Sequence, residues 1–330
     1  MSAPIALPVL QARLFGRDTP FAVGFEVTHR CNLACSYCDR HVAAPDEMSI
    51  EQIFEALDGL VTLGMRSISL DGGEALTHRQ IGSIVDWLVE RELTVRLNTN
   101  GILVPQHLAT VRKCSKLKIS LDGPAQLHDF VRGYRAYDRA MAGAKAALDA
   151  GVPVEFTCVV GRHNARALDA VLSAAESLGC GVIFQPARES LFVGDAGPAG
   201  SYMLDSSGIQ AAMRTIETYK HAGRAVLNQW ASLRHFRAFP ANKSLPCAAG
   251  HLNATLDPRG RLYHCGQLHR PTDAPNVVLV GAEKAFAQLV RQGCNQCWCA
   301  RVVEENYAWG LRLAAFLPTS QSSETGLAAQ

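Results

Sequence analysis

Three cysteines fall within one short run of this 330-residue chain, Cys31-Asn-Leu-Ala-Cys35-Ser-Tyr-Cys38. Thiolates are soft ligands that suit iron–sulfur clusters, and a complete four-iron cluster takes four of them. Three leave one iron open to a small molecule, the logic by which catalytic zinc sites keep a free position. Zinc is the competing occupant of this loop, with His29 or His41 as its fourth ligand.

A second group lies far along the chain: Cys247, Cys265, then Cys294-Asn-Gln-Cys297-Trp-Cys299. Pro258-Arg-Gly260 reads as the tight turn of a hairpin that brings Cys247 and Cys265 together. The CxxC pair would close the site. Four thiolates from a hairpin and a knuckle hold zinc or a four-iron cluster, and spacing alone does not separate the two. Cys114, Cys158 and Cys180 fall near or within regular elements and read as small buried hydrophobes.

Composition narrows the setting. Eleven cysteines are many, but their number is odd and most gather towards the two ends. With no export signal, ligation is a better account than a disulfide framework. The N-terminal run MSAPIALPVLQARLFGRD is interrupted by Arg13 and Arg17, and no later segment has the length of a membrane span. Basic and acidic residues number 32 and 30, so no strong field points to nucleic acid or to an anionic membrane. A soluble, cytoplasmic protein is expected.

Something must hold the first cysteine loop in place. From Phe21 to Ala222 short apolar runs alternate with helical patterns. Strands are predicted over 21–28, 67–71, 94–99, 116–121, 153–160 and 181–186, and helices over 49–63, 79–91, 105–112, 137–150, 166–178 and 209–222. Ser49 and Gln52 are placed as a capping box, and Gly151 and Gly179 stand where helix C-termini favour glycine. Six strand–helix units imply a parallel sheet with right-handed crossovers, closed as a partial barrel or open. In a barrel the reactive residues sit at the C-terminal strand ends, where the distinctive motifs of this sequence fall. Residues 193–201 read as a Gly/Pro-rich loop, and the tail from 318 to 330 as disordered.

Those motifs carry a resemblance. CxxxCxxC with Tyr37 before the last cysteine is similar to the signature of the radical S-adenosylmethionine (radical SAM) superfamily. Gly72-Gly73-Glu74 resembles its GGE motif and Asn98-Thr99-Asn100-Gly101 its NTNG. Ser120-Leu121-Asp122-Gly123-Pro124, with His128-Asp129 and Arg132-Gly133, resembles the SLDGP…HD…RG run of its peptide-modifying branch. The resemblance covers about residues 21–186. It implies a partial (β/α)6 TIM-like barrel, and a [4Fe-4S] cluster on Cys31, Cys35 and Cys38. Its open iron would be chelated by S-adenosylmethionine, which one electron cleaves to a 5′-deoxyadenosyl radical. Glu74 would accept from the methionine ammonium, beside the backbone of Gly72 and Gly73. Asn98 and Ser120 would meet the cofactor's ribose or carboxylate, Arg132 its carboxylate, and Val159 and Val160 its adenine. Asp122 reads as a turn former.

The run from Cys247 to Cys265 resembles the opening of the SPASM/twitch extension, and no cysteine follows Cys299, as in the shorter twitch form. The resemblance implies an auxiliary [4Fe-4S] cluster on Cys247, Cys265, Cys294 and Cys297, which takes an electron from a product radical. It divides the chain into an N-terminal extension (1–20), the barrel (21–235), a small cysteine-rich twitch-type domain (240–317) and a tail (318–330). It further implies a peptide or small natural-product substrate, oxidised, crosslinked or epimerised, and an electron donor such as flavodoxin or ferredoxin. The alternatives are a zinc-stabilised binding protein without catalysis and an electron carrier, which would leave the GGE motif unexplained. Asp257, His264, His269, Trp298, Glu304, Glu305, Tyr307 and Trp309 read as turn, surface and packing residues.

Overall fold

The computed structural model describes residues 9, 12, 14–42, 46–187, 202–241, 245–266, 270–289, 297–312 and 317. One sheet carries eight strands: β1 (Ala22–Thr28), β2 (Ser67–Gly72), β3 (Thr94–Thr99), β4 (Lys116–Ser120), β5 (Val154–Val160), β6 (Val182–Pro186), β7 (Asn253–Leu256) and β8 (Leu262–Tyr263). Their order is β6-β5-β4-β3-β2-β1-β7-β8, with β1 to β6 neighbours in sequence and all parallel. Between them run α1 (Ile50–Thr62), α2 (Ile81–Glu90), α3 (Leu108–Val111), α4 (Ala125–Arg132), α5 (Ala136–Asp149) and α6 (Leu168–Glu176). After β6 come α7 (Ser206–His221) and α8 (Trp230–Arg237), and after β8 come α9 (Val277–Val280), α10 (Ala282–Ala287) and α11 (Ala300–Trp309). The architecture is a partial (β/α)6 TIM-like barrel.

Strand alternation separates two chemistries. Phe25, Ile68, Leu70, Leu97, Ile119 and Phe156 are wholly buried against the helical layer in one core. Each such side chain contributes about 1.5–3 kcal/mol by leaving water. The alternate residues, among them Glu26, Asp71, Arg96, Asn98, Lys118 and Ser120, point to the other face, so the interior of the partial barrel is polar.

α1 starts as its sequence predicts: Gln52 N donates to Ser49 Oγ (3.3 Å) and Ser49 N to Gln52 Oε1 (2.9 Å). Gly151 and Gly179 follow α5 and α6 with φ of 80° and 70°, the left-handed region that costs glycine little. The helix expected over 105–112 divides into a 3-10 turn (Val104–His107) and the single turn α3. α4 escaped the periodicity reading, because its buried side includes His128 and Arg132 while Phe130 is exposed.

The hairpin predicted at Pro258-Arg-Gly260 joins β7 to antiparallel β8. Asp257 accepts from Arg259 N (2.9 Å) and Arg261 N (2.8 Å), the turn role read from the sequence. β7 also pairs in parallel with β1, so the hairpin continues the barrel sheet. Cys294, His269, the loop over 193–201 and the tail from 318 lie outside the described residues. No helix among the described residues is long and apolar enough to cross a membrane.

Candidate active site

A cavity of about 220 Å³ opens at the C-terminal strand ends. The loop after β1 supplies Cys31, Cys35 and Cys38 to its wall, β2 supplies Asp71 and Gly72, with Gly73 next, and β3 supplies Asn98. Ser120, Val159 and Arg132 line it from β4, β5 and α4. Of the cofactor-contacting residues expected from the sequence, Glu74 and Val160 are not in this lining.

Glu74 is 1% exposed and has other partners. It accepts from Thr99 Oγ1 (2.8 Å), Asn100 N (2.7 Å) and Leu76 N (3.2 Å). Burial raises its pKa against the pull of those bonds. In this structure the carboxylate ties the turn after β2 to the turn after β3. Asn100 carries the connection onward, its Nδ2 donating to Asn32 Oδ1 of the cysteine loop (2.7 Å). The glycines likewise answer to backbone. A Cβ on Gly73 would stand 2.3 Å from the Arg30 carbonyl oxygen, and one on Gly72 equally close to that of Thr28. The GG pair is therefore what lets β2 end hard against the cysteine loop.

Asp122 does far more than form a turn. Fully buried, its carboxylate accepts from Tyr37 Oη (2.6 Å), Arg132 Nε (2.6 Å) and Val159 N (3.0 Å), joining the cysteine loop, α4 and β5. Burial pushes its pKa up, but the Arg132 and His128 charges and the hydrogen bonds hold it below the usual carboxylate range. Tyr37, conspicuous in sequence only as the aromatic before Cys38, is the loop's handle on this hub. Asn164 completes it, donating to the Asp122 carbonyl (2.6 Å) and to that of Val159 (2.8 Å). Its sequence neighbourhood gave no sign of this role.

Glu26 is a second hub that sequence reasoning passed over. It accepts from Arg40 (2.6 Å) and from both terminal nitrogens of Arg270 (2.7 Å each), which joins β1 to the cysteine loop and to the segment after β8. Burial raises its pKa, yet the arginines and His29 outweigh burial and leave it well below the usual range.

The thiols fit a cluster. Burial, then Glu74 and the neighbouring thiols, push Cys31 up to about 11, and burial also raises Cys35. The Cys31 and Cys35 thiolates are therefore disfavoured without a compensating cation, which bound iron would supply. Asn98 Oδ1 is buried in the same cavity with no hydrogen-bond partner among the described residues, so a ligand donor would satisfy it. Among the described residues no three Cys, His, Asp or Glu side chains converge as they would around a single ion. A cubane asks for no such convergence, because it spreads its thiolates over its corners.

In the second group, Cys247 and Cys297 approach through α11. Asn306 accepts from Ala248 N (2.8 Å) and donates to Cys297 Sγ (3.3 Å). Cys265 follows β8, and Cys299 immediately precedes α11.

This is a partial-barrel protein whose reactive mouth is built around three thiols. Residues 25–174 match the Radical SAM superfamily. Mycofactocin maturase MftC of Mycobacterium ulcerans (strain Agy99) is 27% identical over 261 residues, 76% of this chain and 69% of that protein. The subtilosin biosynthesis protein AlbA of Bacillus subtilis is 24% identical over 275 residues, 81% of this chain and 59% of AlbA. Among solved structures, Streptococcus suis SuiB bound to S-adenosylmethionine superposes with a TM-score of 0.67 at 14% identity, covering 81% of this chain and 66% of SuiB. Over residues 25–174 the chain is thus similar to the radical SAM superfamily, and over three quarters of its length to the mycofactocin maturases. It spans only about two thirds of the length of the mycofactocin maturases.

Proposed function

We propose that this enzyme modifies a peptide by radical chemistry, holding a [4Fe-4S] cluster on Cys31, Cys35 and Cys38 and S-adenosylmethionine against Gly72, Gly73, Asn98, Ser120 and Arg132. When bound, these two groups supply a 5′-deoxyadenosyl radical that takes a hydrogen atom from the substrate. The observation that carries the reading is the single cavity in which the three thiols, the glycine backbone, the open Asn98 carbonyl and Arg132 share one wall.

The protein's own part is to bind, orient and exclude water. Arg132, fixed through Nε by Asp122, presents a positive charge to the cavity, suited to a carboxylate. Ser120 and Asn98 offer hydrogen bonds from adjacent strand ends. Glu74, Asp122 and Glu26 fasten the cysteine loop to the barrel, so the ligands are positioned before any cofactor arrives.

The substrate enters over the polar inner face. Lys118 pairs with Glu155 there (3.2 Å), and α11 presents Arg301 and Glu305, which pair at 3.0 Å. Peptide modification is favoured by the relatives matched over most of this chain, the MftC maturases and AlbA, whereas an AdoMet-dependent heme synthase is matched over only half of it. Cys247, Cys265, Cys294 and Cys297 are assigned to an auxiliary [4Fe-4S] cluster, and a flavodoxin or ferredoxin to electron supply in the cytoplasm.

The test is anaerobic reconstitution with iron and sulfide. Two four-iron clusters amount to about eight irons per chain, and dithionite should then release 5′-deoxyadenosine from S-adenosylmethionine. A colourless, zinc-containing protein that leaves the cofactor intact would establish the non-catalytic alternative.

A further inference from the structure

Asn306 is a side chain that touches both halves of the second cysteine group. It lies in α11 and is 1% exposed. Oδ1 accepts from Ala248 N, the residue after Cys247, and Nδ2 donates to Cys297 Sγ. The amide's orientation is decided by chemistry: a backbone N–H only donates, so the oxygen must face Ala248 and the NH2 must face the sulfur.

We propose that Asn306 is a positioning residue of the auxiliary cluster, orienting the Cys297 thiolate and raising the cluster's reduction potential through an N–H···S bond. The proposal rests on reading this group of cysteines as an iron–sulfur site. Hydrogen bonds to cluster sulfurs are among the levers that set such potentials. A donor aimed at a ligand sulfur stabilises the reduced, more negative cluster over the oxidised one. The Ala248 bond clamps the same amide to the chain beside Cys247, so the donor cannot swing away without leaving a buried carbonyl oxygen unpaired. α11 also carries Arg301 and Glu305 to the inner face of the barrel, with Glu305 Oε2 accepting from Asn253 Nδ2 of β7 (2.9 Å). One helix thus joins the cluster's donor to the substrate side, where an electron acceptor of raised potential is useful.

The test uses the full chain with Cys31, Cys35 and Cys38 all changed to alanine, so that only the second cluster assembles. Redox titration followed by electron paramagnetic resonance gives its midpoint potential. In the same background N306D keeps an oxygen for Ala248 and removes the N–H donor. The expected result is a lower potential, with the reduced-to-oxidised ratio at fixed applied potential down about tenfold, or ~59 mV for one electron. An intact cluster with an unmoved potential overturns the proposal. Because N306D could impair assembly, a second measurement leaves Asn306 in place: 15N-asparagine labelling should give a 15N coupling to the reduced cluster in pulsed resonance, and its absence overturns the proposal. If the triple-alanine protein takes up zinc and no iron, the auxiliary-cluster reading fails and the proposal with it. Loss of 5′-deoxyadenosine formation in the parent enzyme would instead sink the reading of the first cluster.

Discussion

Replacing Asp71 by asparagine should stabilise the protein at neutral pH and leave it unchanged in acid. Register sets Asp71 beside Glu26 on adjacent strands, both facing the polar interior. The two carboxyls diverge because two arginines reach Glu26, whereas among the described residues no arginine pairs with Asp71, which accepts from Asn98. Burial, with Glu26 adding, raises Asp71 to about 6, against the pull of Asn98, Arg301 and Lys118. An unfolded aspartate titrates near 3.9, so the gap is about two units, and at ~1.4 kcal/mol per unit its full effect is about 3 kcal/mol. The sign follows from proton binding. Between about pH 4 and 6 the folded chain holds the proton that the unfolded chain has released, so stability falls as pH rises through that window and levels off above it. Asp71→Asn cannot ionise and keeps an oxygen for Asn98, so it escapes that fall. Urea unfolding of the cluster-free protein, followed by tryptophan fluorescence from pH 4 to 8, should show the variant gaining up to about 3 kcal/mol over the parent as pH rises. A constant difference between the two proteins at pH 4.5 and 7.5 would refute the reasoning.

Three further outcomes are expected. Gly73→Ala puts a methyl group against the Arg30 and His29 carbonyl oxygens at 2.3 and 2.5 Å, so the cysteine loop must shift; iron retained at the first cluster and 5′-deoxyadenosine yield should both drop sharply. Asp122→Ala strands Arg132 as a buried unpaired charge and should cost about 3–5 kcal/mol, read as a lower urea midpoint with an unchanged slope. Cys38→Ser should remove about four irons and abolish dithionite-driven cleavage of S-adenosylmethionine, while iron at the second site stays.

Much of this was legible because it rests on local rules. The six barrel strands lie within a residue or two of their predicted limits, since each combines an apolar alternation with a glycine or polar stop. The cavity residues were legible for a different reason: Cys31, Asn98 and Ser120 fall in short motifs at strand ends, where a parallel barrel gathers its chemistry, and Arg132 falls in the motif run that continues from the end of β4. What stayed hidden depends on contacts between segments distant in sequence. Tyr37 meets Asp122 across 85 residues and Glu26 meets Arg270 across 244, and no periodicity encodes such a pairing. α4 was hidden because a helix that buries His128 and Arg132 looks polar on its inner side. The second cysteine group was legible as a group, but Asn306, the residue linking two of its segments, has no spacing rule to announce it.

The motif residues divide by physical task, and the division explains why the motifs are longer than a list of ligands would require. An eight-residue stretch without regular structure carries three thiols, so its own backbone cannot fix their positions. It must be held from outside, and each hold is a buried charge or amide: Glu74 through Asn100 to Asn32, Asp122 to Tyr37, and Glu26 to Arg40. Buried carboxylates in these places bring little net stability, because desolvation offsets most of the attraction. What they provide is a single geometry, since any displacement of the loop leaves a charge unpaired. Loss of one hold should therefore impair cluster assembly well before it unfolds the barrel, whose apolar core lies on the opposite face of the sheet.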